Sequence, residues 1–109
     1  MKHTIRCRGF RALAKGSLVG FATVYISELR LLVHDVSLHR KGDARWALLP
    51  AKPMVRDGRH VADAATGKPQ YVPILEFDDR ETRDAFSAAV WAAVASQYPE
   101  VGEMAETAT

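Results

Sequence analysis

The segment VGFATVYI, residues 19–26, carries the clearest structural signal in the chain, because its side chains alternate with a period of two. β-branched and aromatic residues that alternate in this way are typical of a β-strand. The sequence therefore predicts a strand here, with two sets of side chains on opposite faces: Val19, Phe21, Thr23 and Tyr25, and Gly20, Ala22, Val24 and Ile26.

The segments on both sides of this strand extend the pattern. Residues 4–11 alternate less cleanly, and the turn residues Lys15-Gly16-Ser17 join them to the first stretch, which predicts a hairpin. A third alternating run covers residues 31–38, the sequence Lys41-Gly42-Asp43 breaks it, and residues 44–49 resume it. Four consecutive strands with short turns indicate an antiparallel meander.

The region after Pro50 has a different composition. Proline lacks the amide that an interior strand needs, so Pro50 ends the fourth strand. Residues 51–69 are rich in Pro, Gly and basic residues with little periodicity, which predicts a long loop or a weakly paired hairpin. Residues 71–77 predict a fifth strand, and Pro73 places it at an edge.

A helix is predicted near the end of the chain. Asp78 can cap it, with Glu81 as the capping-box partner, and apolar residues then recur at helical spacing. Pro99 ends this helix after Tyr98. The predicted class is α+β, an antiparallel β-meander of four to five strands with one C-terminal α-helix, in a single domain over residues 1–99. Residues 100–109 are predicted to be an acidic flexible tail.

Length and composition restrict the class of protein. A chain of 109 residues with 48% hydrophobic and 26% charged residues predicts one globular domain. Neither a membrane-length apolar run nor a secretory signal is recognisable, and the single Cys7 excludes an internal disulfide, so a cytoplasmic protein is expected. Cys7 is expected to be a small, partly buried strand residue, the alternative being a reactive thiol activated by Arg6 and Arg8.

Charge is divided unequally along the chain. Residues 1–75 hold 13 Lys and Arg against five acids, a net charge of +8, whereas residues 76–109 hold two basic and eight acidic residues, a net charge of −6. A basic body suggests a nucleic-acid partner, because Lys and Arg neutralise phosphates and release counterions. A solvated surface with a solubilising tail would have the same composition.

No arrangement of residues predicts catalysis. The glycines fit neither a dinucleotide fingerprint nor a phosphate-binding loop. His34 and Asp35 are adjacent, so on a strand they would point to opposite faces, and His34, His39 and His60 could form a metal site only if the fold happened to bring them together. We therefore expect no enzyme activity, no cofactor and no metal.

The basic residues and their aromatic neighbours say more about function than the candidate catalytic groups do. Arginines lie on or near the first strand, and a second group occupies turns and the long loop. Aromatic residues could stack on unpaired bases beside them, although a strand tryptophan is more often a core residue. The basic residues are Arg6, Arg8 and Arg11, and Arg40, Lys41, Arg45, Lys52, Arg56 and Arg59; the aromatic candidates are Tyr25, Trp46 and Tyr71.

Residues 20–58 resemble the SpoVG family of bacterial septation regulators. The similarity rests on a strand that ends in VYI, on the segment VHDV at Val33–Val36, on a glycine turn, and on LLPAKP at Leu48–Pro53 in the place of the family's proline signature. This resemblance implies a homodimeric α+β protein that binds DNA, and in some members RNA, and influences gene expression without catalysis. It also implies a role for Lys52, which falls on a position of the family motif.

The sequence thus predicts a nucleic-acid-binding regulator whose contacts are Arg40, Lys41, Arg45, Lys52 and Arg56. The alternative is a protein-interaction or assembly module in which the basic residues only solubilise. Homodimerisation through a sheet edge is expected, because Pro73 blunts only one of the two edges of a five-stranded meander. The acidic end is expected to repel phosphates or to compete for the basic surface.

Overall fold

The computed structural model describes residues 4–101, which form a four-stranded antiparallel sheet packed against one helix. The predicted α+β class is confirmed. The sheet has the strand order β1-β2-β3-β4, as expected of a meander. Its elements are β1 (Ile5–Lys15), β2 (Leu18–Ile26), β3 (Leu31–Lys41), β4 (Ala44–Leu48) and the helix α1 (Arg80–Gln97).

Tight turns connect the four strands where the sequence predicts them. Gly16 and Gly42 adopt φ values of +59° and +60°, a region that residues with a Cβ seldom enter. Gly20 has another role: a Cβ there would lie 2.5 Å from the Arg11 carbonyl oxygen, so the close approach of β1 to β2 requires a glycine.

The core lies between the sheet and α1. Alternate residues of the strands face the helix, which approaches the two edge strands, β1 and β4, most closely. Phe10 contacts Tyr98 near the end of the helix, with ring centroids 5.7 Å apart. The buried side chains are Cys7, Val19, Ala22, Val24, Val33, Val36, Leu38, Ala47, Phe86, Val90, Trp91, Val94 and Val101.

Residues 51–73 form a separate, irregular hairpin rather than a part of the main sheet. Its strands are β5 (Ala51–Pro53), β6 (Val55–Arg56), β7 (Arg59–His60) and β8 (Tyr71–Pro73). β5 pairs with β8, and β6 pairs with β7 across a turn at Asp57-Gly58. Of the two predictions for this region, the weakly paired hairpin is therefore the one observed. The predicted fifth strand is shorter than expected and pairs with β5 outside the sheet.

Helix α1 begins one residue later than predicted. Asp79, not Asp78, is the N-cap: its backbone is extended, and its carboxylate accepts hydrogen bonds from the amide and the hydroxyl of Thr82 at 2.9 and 3.0 Å. Glu81 is then too early in the first turn for a capping box. The helix ends at Gln97 with Tyr98 as its C-cap, so the prediction that Pro99 follows its end is confirmed.

A cap at Asp79 predicts different effects for two neighbouring substitutions. Asp79→Ala is expected to lower the urea midpoint of unfolding more than Asp78→Ala, because only the first removes the acceptor of the Thr82 amide. That hydrogen bond lowers the pKa of Asp79, so its stabilisation is present at neutral pH and is lost as the pH falls through the folded-state value. The difference between the variants should disappear well below about pH 4. Equal midpoints at pH 7 would contradict the assignment.

The folded domain extends beyond residue 99. Val101 is buried in the core, and its amide donates a hydrogen bond to the Tyr98 carbonyl at 2.9 Å. Of the tail predicted for residues 100–109, Val101 therefore packs with the domain. Residues 102–109 lie outside the described residues, so a tail there stays a prediction.

The sheet edges differ in how they are covered. On β4, the peptide group between Trp46 and Ala47 is bonded by two helix side chains: the Trp91 indole donates to the Trp46 carbonyl at 2.8 Å, and the Ala47 amide donates to the Ser87 hydroxyl at 2.7 Å. That peptide group cannot pair with another strand. On β1, the pairing with β2 shifts register twice, and bulges of this kind blunt an edge.

Candidate nucleic-acid interface

The face of the sheet opposite α1 combines basic and aromatic side chains. Ala22 and Val24 are buried on the helix side, so the alternating Phe21, Thr23 and Tyr25 point to the other side. The register of the neighbouring strands extends this arrangement across the sheet. We call this surface the open face; it includes Arg6, Arg8, Arg11, Phe21, Thr23, Tyr25, Ser37, His39, Lys41 and Trp46, together with the leucines Leu18, Leu32 and Leu48.

Two arginines of β1 stack on aromatic rings of β2. The Arg8 guanidinium carbon lies 4.5 Å from the centroid of the Tyr25 ring, and that of Arg11 lies 5.3 Å from the Phe21 ring. The register shift between Cys7 and Gly9 gives β1 an extra residue here. Cation–π contacts at exposed sites stabilise by roughly 0.5–1 kcal/mol, enough to bias the orientation of a guanidinium that remains open to solvent.

A second pair of stacked rings lies on β3 and β4. The His39 and Trp46 rings are nearly parallel, 7° apart, with centroids separated by 5.5 Å. The two His39 ring nitrogens contact the hydroxyls of Ser17 and Ser37 at 3.2 and 2.9 Å. Partial burial lowers the pKa of His39, so the ring is neutral at pH 7. Trp46 is therefore a partly exposed residue of the open face rather than a core residue.

Three of the five predicted contacts lie around the β3–β4 turn, on two sides of the sheet. Arg40 and Arg45 pair across the strands on the helix side, where the Arg45 guanidinium lies 5.1 Å from the centroid of the Trp91 ring. The next residue along β3, Lys41, belongs to the open face. Lys41 and Arg45 are exposed, whereas Arg40 is half-buried.

The other two predicted contacts lie beyond the opposite end of β4. Lys52 is on β5 and Arg56 is on β6, both exposed. Strand β4 is five residues long, so it separates them from the β3–β4 turn by about 17 Å. The structure thus gives two groups of predicted contacts, not one cluster. The hairpin also carries Arg59 and Lys68, both exposed, and we call residues 51–73 the basic hairpin.

Negative charge is scarce in the sheet. Asp35 is the single acidic residue of the four strands β1–β4. It lies in a bulge, with φ at +57°, where β3 places two residues opposite Thr23 of β2. The cations of the open face therefore have few carboxylates of their own sheet to neutralise them, and they can attract an anionic polymer.

Groups that could support other chemistry lie apart or are protected. The His34 ring contacts the Thr23 hydroxyl at 3.3 Å, and His60 lies in the basic hairpin, away from His34 and His39. Between residues 4 and 101, no group of three His, Cys, Asp or Glu side chains could hold a metal ion. Cys7 is buried, and burial raises the pKa of its thiol, which contradicts the alternative of an activated cysteine.

An apolar groove of about 700 Å³ lies on the helix side of the molecule, between the ends of β1 and β2 and the first half of α1. Leu29 and half-buried Ile26 line it, and Asp79 and Glu81 lie at its rim. Carboxylates at the rim repel phosphates, so this groove is unsuited to nucleic acid.

Of the open-face residues, only Lys41 was among the contacts predicted from the sequence; the β1 arginines, Tyr25 and Trp46 were considered but not chosen. The register of the first hairpin turn, continued without a bulge, would place Arg11 opposite Ala22; the shift between Ala12 and Lys15 brings it opposite Phe21 instead, so the sequence alone does not pair them. The pairing of His39 with Trp46 across the second turn has no such shift and could have been predicted. The bulge at Arg8 has no sequence signal that we recognise.

None of the helices described within residues 4–101 is long and apolar enough to cross a membrane. No family model matches the chain, and neither a curated protein nor a solved structure matches it.

Proposed function

We propose that this protein is a non-enzymatic nucleic-acid-binding regulator, as the resemblance to the SpoVG family implies, and that the open face is its main binding surface. The observation that carries the proposal is the stacking of Arg8 on Tyr25 and of Arg11 on Phe21. A guanidinium held over an aromatic ring offers hydrogen-bond donors to a phosphate and a flat surface to a base.

The previously predicted contacts extend this surface at two ends. Lys41 borders the His39 and Trp46 rings, and the basic hairpin carries Lys52 and Arg56 beyond β4. These cations contribute to affinity through phosphates rather than to sequence recognition. Arg40 and Arg45 lie on the helix side, where they would reach only a nucleic acid that wraps around the β3–β4 turn.

The test is the salt dependence of binding. Fluorescence anisotropy with labelled single-stranded and duplex oligonucleotides should detect binding at about 50 mM salt and a steep loss of affinity at about 200 mM. A protein that binds neither oligonucleotide at the lower salt concentration would overturn the proposal.

A second candidate function is assembly with another protein chain, which the apolar groove and the exposed Leu29 favour. Homodimerisation through a sheet edge remains a proposal, with β1 as the more available edge. Light scattering at micromolar concentration distinguishes a 12.0 kDa species from one of twice that mass. A strictly monomeric protein would remove the case for a homodimer.

A further inference from the structure

The Trp46 ring lies on an edge strand of the sheet, and phosphate binding does not use it. One side of this ring is covered by His39, at 5.5 Å and nearly parallel. Trp46 lies on β4, which is an edge strand, so the sheet places no further strand next to the other side of the ring. A flat group that approaches from this edge would extend the stack of His39 and Trp46 by one layer.

Resting on the function proposed above, we propose that the open face binds a single strand of nucleic acid, with one unpaired base stacked on Trp46 and the phosphates on the β1 arginines. A base in a duplex is already stacked on both sides, so it cannot occupy this position without being extruded. Stacking on an aromatic ring tolerates any base, because every base has a π-face.

The register fixes the path that the strand takes. Trp46 pairs with His39, which lies opposite Leu18, so Trp46 and Tyr25 are seven residues apart along the strand direction and two strands apart across it. At about 3.3 Å per residue and about 4.8 Å between strands, the diagonal is about 25 Å. A stacked strand rises about 3.4 Å per nucleotide, so the face accommodates about seven nucleotides, within the range of known single-strand-binding domains.

The cations lie where this path requires them. Arg6, Arg8 and Arg11 follow β1 along one side of Tyr25 and Phe21, and Lys41 stands at the Trp46 end. The row that crosses the middle of the diagonal contains Arg11, Phe21, Ser37 and Leu48, so an arginine and an aromatic ring lie to one side of the path at its midpoint. Charge and stacking surfaces thus recur along the whole path instead of at one point.

Anisotropy titrations with three probes of one sequence, each about 16 nucleotides long, test the proposal: single-stranded DNA, single-stranded RNA and the DNA duplex. We expect both single strands to bind more tightly than the duplex. Trp46→Ala should weaken single-strand binding roughly 5- to 100-fold, with little effect on the duplex. Trp46→Phe should retain most of the affinity, because it keeps an aromatic ring. Ile74→Ala, which changes an exposed apolar residue outside both the open face and the basic hairpin, is the control.

Fluorescence gives a second readout that is independent of affinity. Trp91 is 4% exposed and shielded in the core, so quenching of tryptophan emission by a bound strand reports on Trp46 and should vanish in Trp46→Phe. The Trp46 carbonyl that holds the Trp91 indole is backbone and remains in each variant. Circular dichroism verifies that each variant is folded.

The outcomes separate this proposal from the function on which it rests. Equal binding of duplex and single strands, unchanged by Trp46→Ala but steeply salt-dependent, would overturn single-strand stacking and leave nucleic-acid binding intact. No binding of any probe at low salt would overturn both. A preference for RNA over DNA of the same sequence would identify contacts with the 2′-hydroxyl, and equal affinity would identify stacking and phosphates alone as the source of binding.

Discussion

Leu38→Ala is expected to destabilise the domain by about 2–5 kcal/mol, the largest effect of any substitution considered for this chain. Leu38 is fully buried on β3, where its side chain faces α1 and pairs across the sheet with Ala47. Truncation removes apolar contacts on every side and leaves a cavity that close packing prevents from collapsing fully. Domains of this size are stable by only about 5–15 kcal/mol, so we expect the variant to unfold at a markedly lower temperature.

The matched control for this experiment is Leu32→Ala on the same strand. Leu32 is 45% exposed, so its truncation should change the free energy of unfolding far less. Chemical denaturation of the three proteins at one temperature measures both differences. Similar losses for the two variants would contradict the placement of the core between β3 and α1.

Replacing Arg8 and Arg11 together by glutamine is expected to weaken nucleic-acid binding roughly tenfold or more at low salt. Each arginine that contacts a phosphate releases about one counterion. The negative slope of log affinity against log salt concentration should therefore become shallower by about two. Both side chains are exposed, and glutamine keeps part of their length and polarity, so the fold should be retained.

Arg80→Gln with Arg83→Gln is the control for net charge. It removes two positive charges from α1, on the opposite side of the sheet, where both arginines are exposed beside Asp84. We expect the affinity of this variant for nucleic acid to be nearly that of the unmodified protein. An equal loss in the two double variants would mean that the protein attracts nucleic acid only through its overall charge, without a defined surface.

Local patterns in the sequence were sufficient for the main sheet and the helix. Alternation along residues 19–26 and the glycines of the two tight turns specify a meander, because a period of two and a left-handed turn residue are local properties of the chain. The choice between Asp78 and Asp79 as the cap could not be made from sequence, since either carboxylate can accept an amide of the first turn. The structure settles it through the extended backbone of Asp79 and its bond to Thr82.

The strand pairing after Pro50 could not be predicted from local sequence patterns. Residues 71–73 have the composition of a strand, but their partner is β5, twenty residues earlier, and not the edge of the sheet. The strand with which a short segment pairs depends on long-range contacts, and these cannot be read from a single sequence. The same holds for the coverage of β4, where Ser87 and Trp91 act from a helix forty residues away.

The candidate interface was only partly predictable. Charge and turn position predicted both Lys41 and Arg45 as contacts. The structure places Lys41 on the open face, whereas Arg45 lies against Trp91 on the other side. Alternation on a strand assigns neighbouring residues to opposite faces, so charge counts alone could not separate the two surfaces. The arginines on Tyr25 and Phe21 became recognisable only with the register of β1 against β2.

Binding of nucleic acid on the open face of the sheet can be located residue by residue with chemical-shift mapping. ¹⁵N-labelled protein is titrated with an unlabelled single-stranded oligonucleotide. The backbone amide resonances of Arg8, Phe21 and Tyr25 and the indole resonance of Trp46 should shift, while the amide resonances in the middle of α1 should not. Shifts confined to the basic hairpin or to the helix, with the open-face signals unmoved, would contradict binding on the open face.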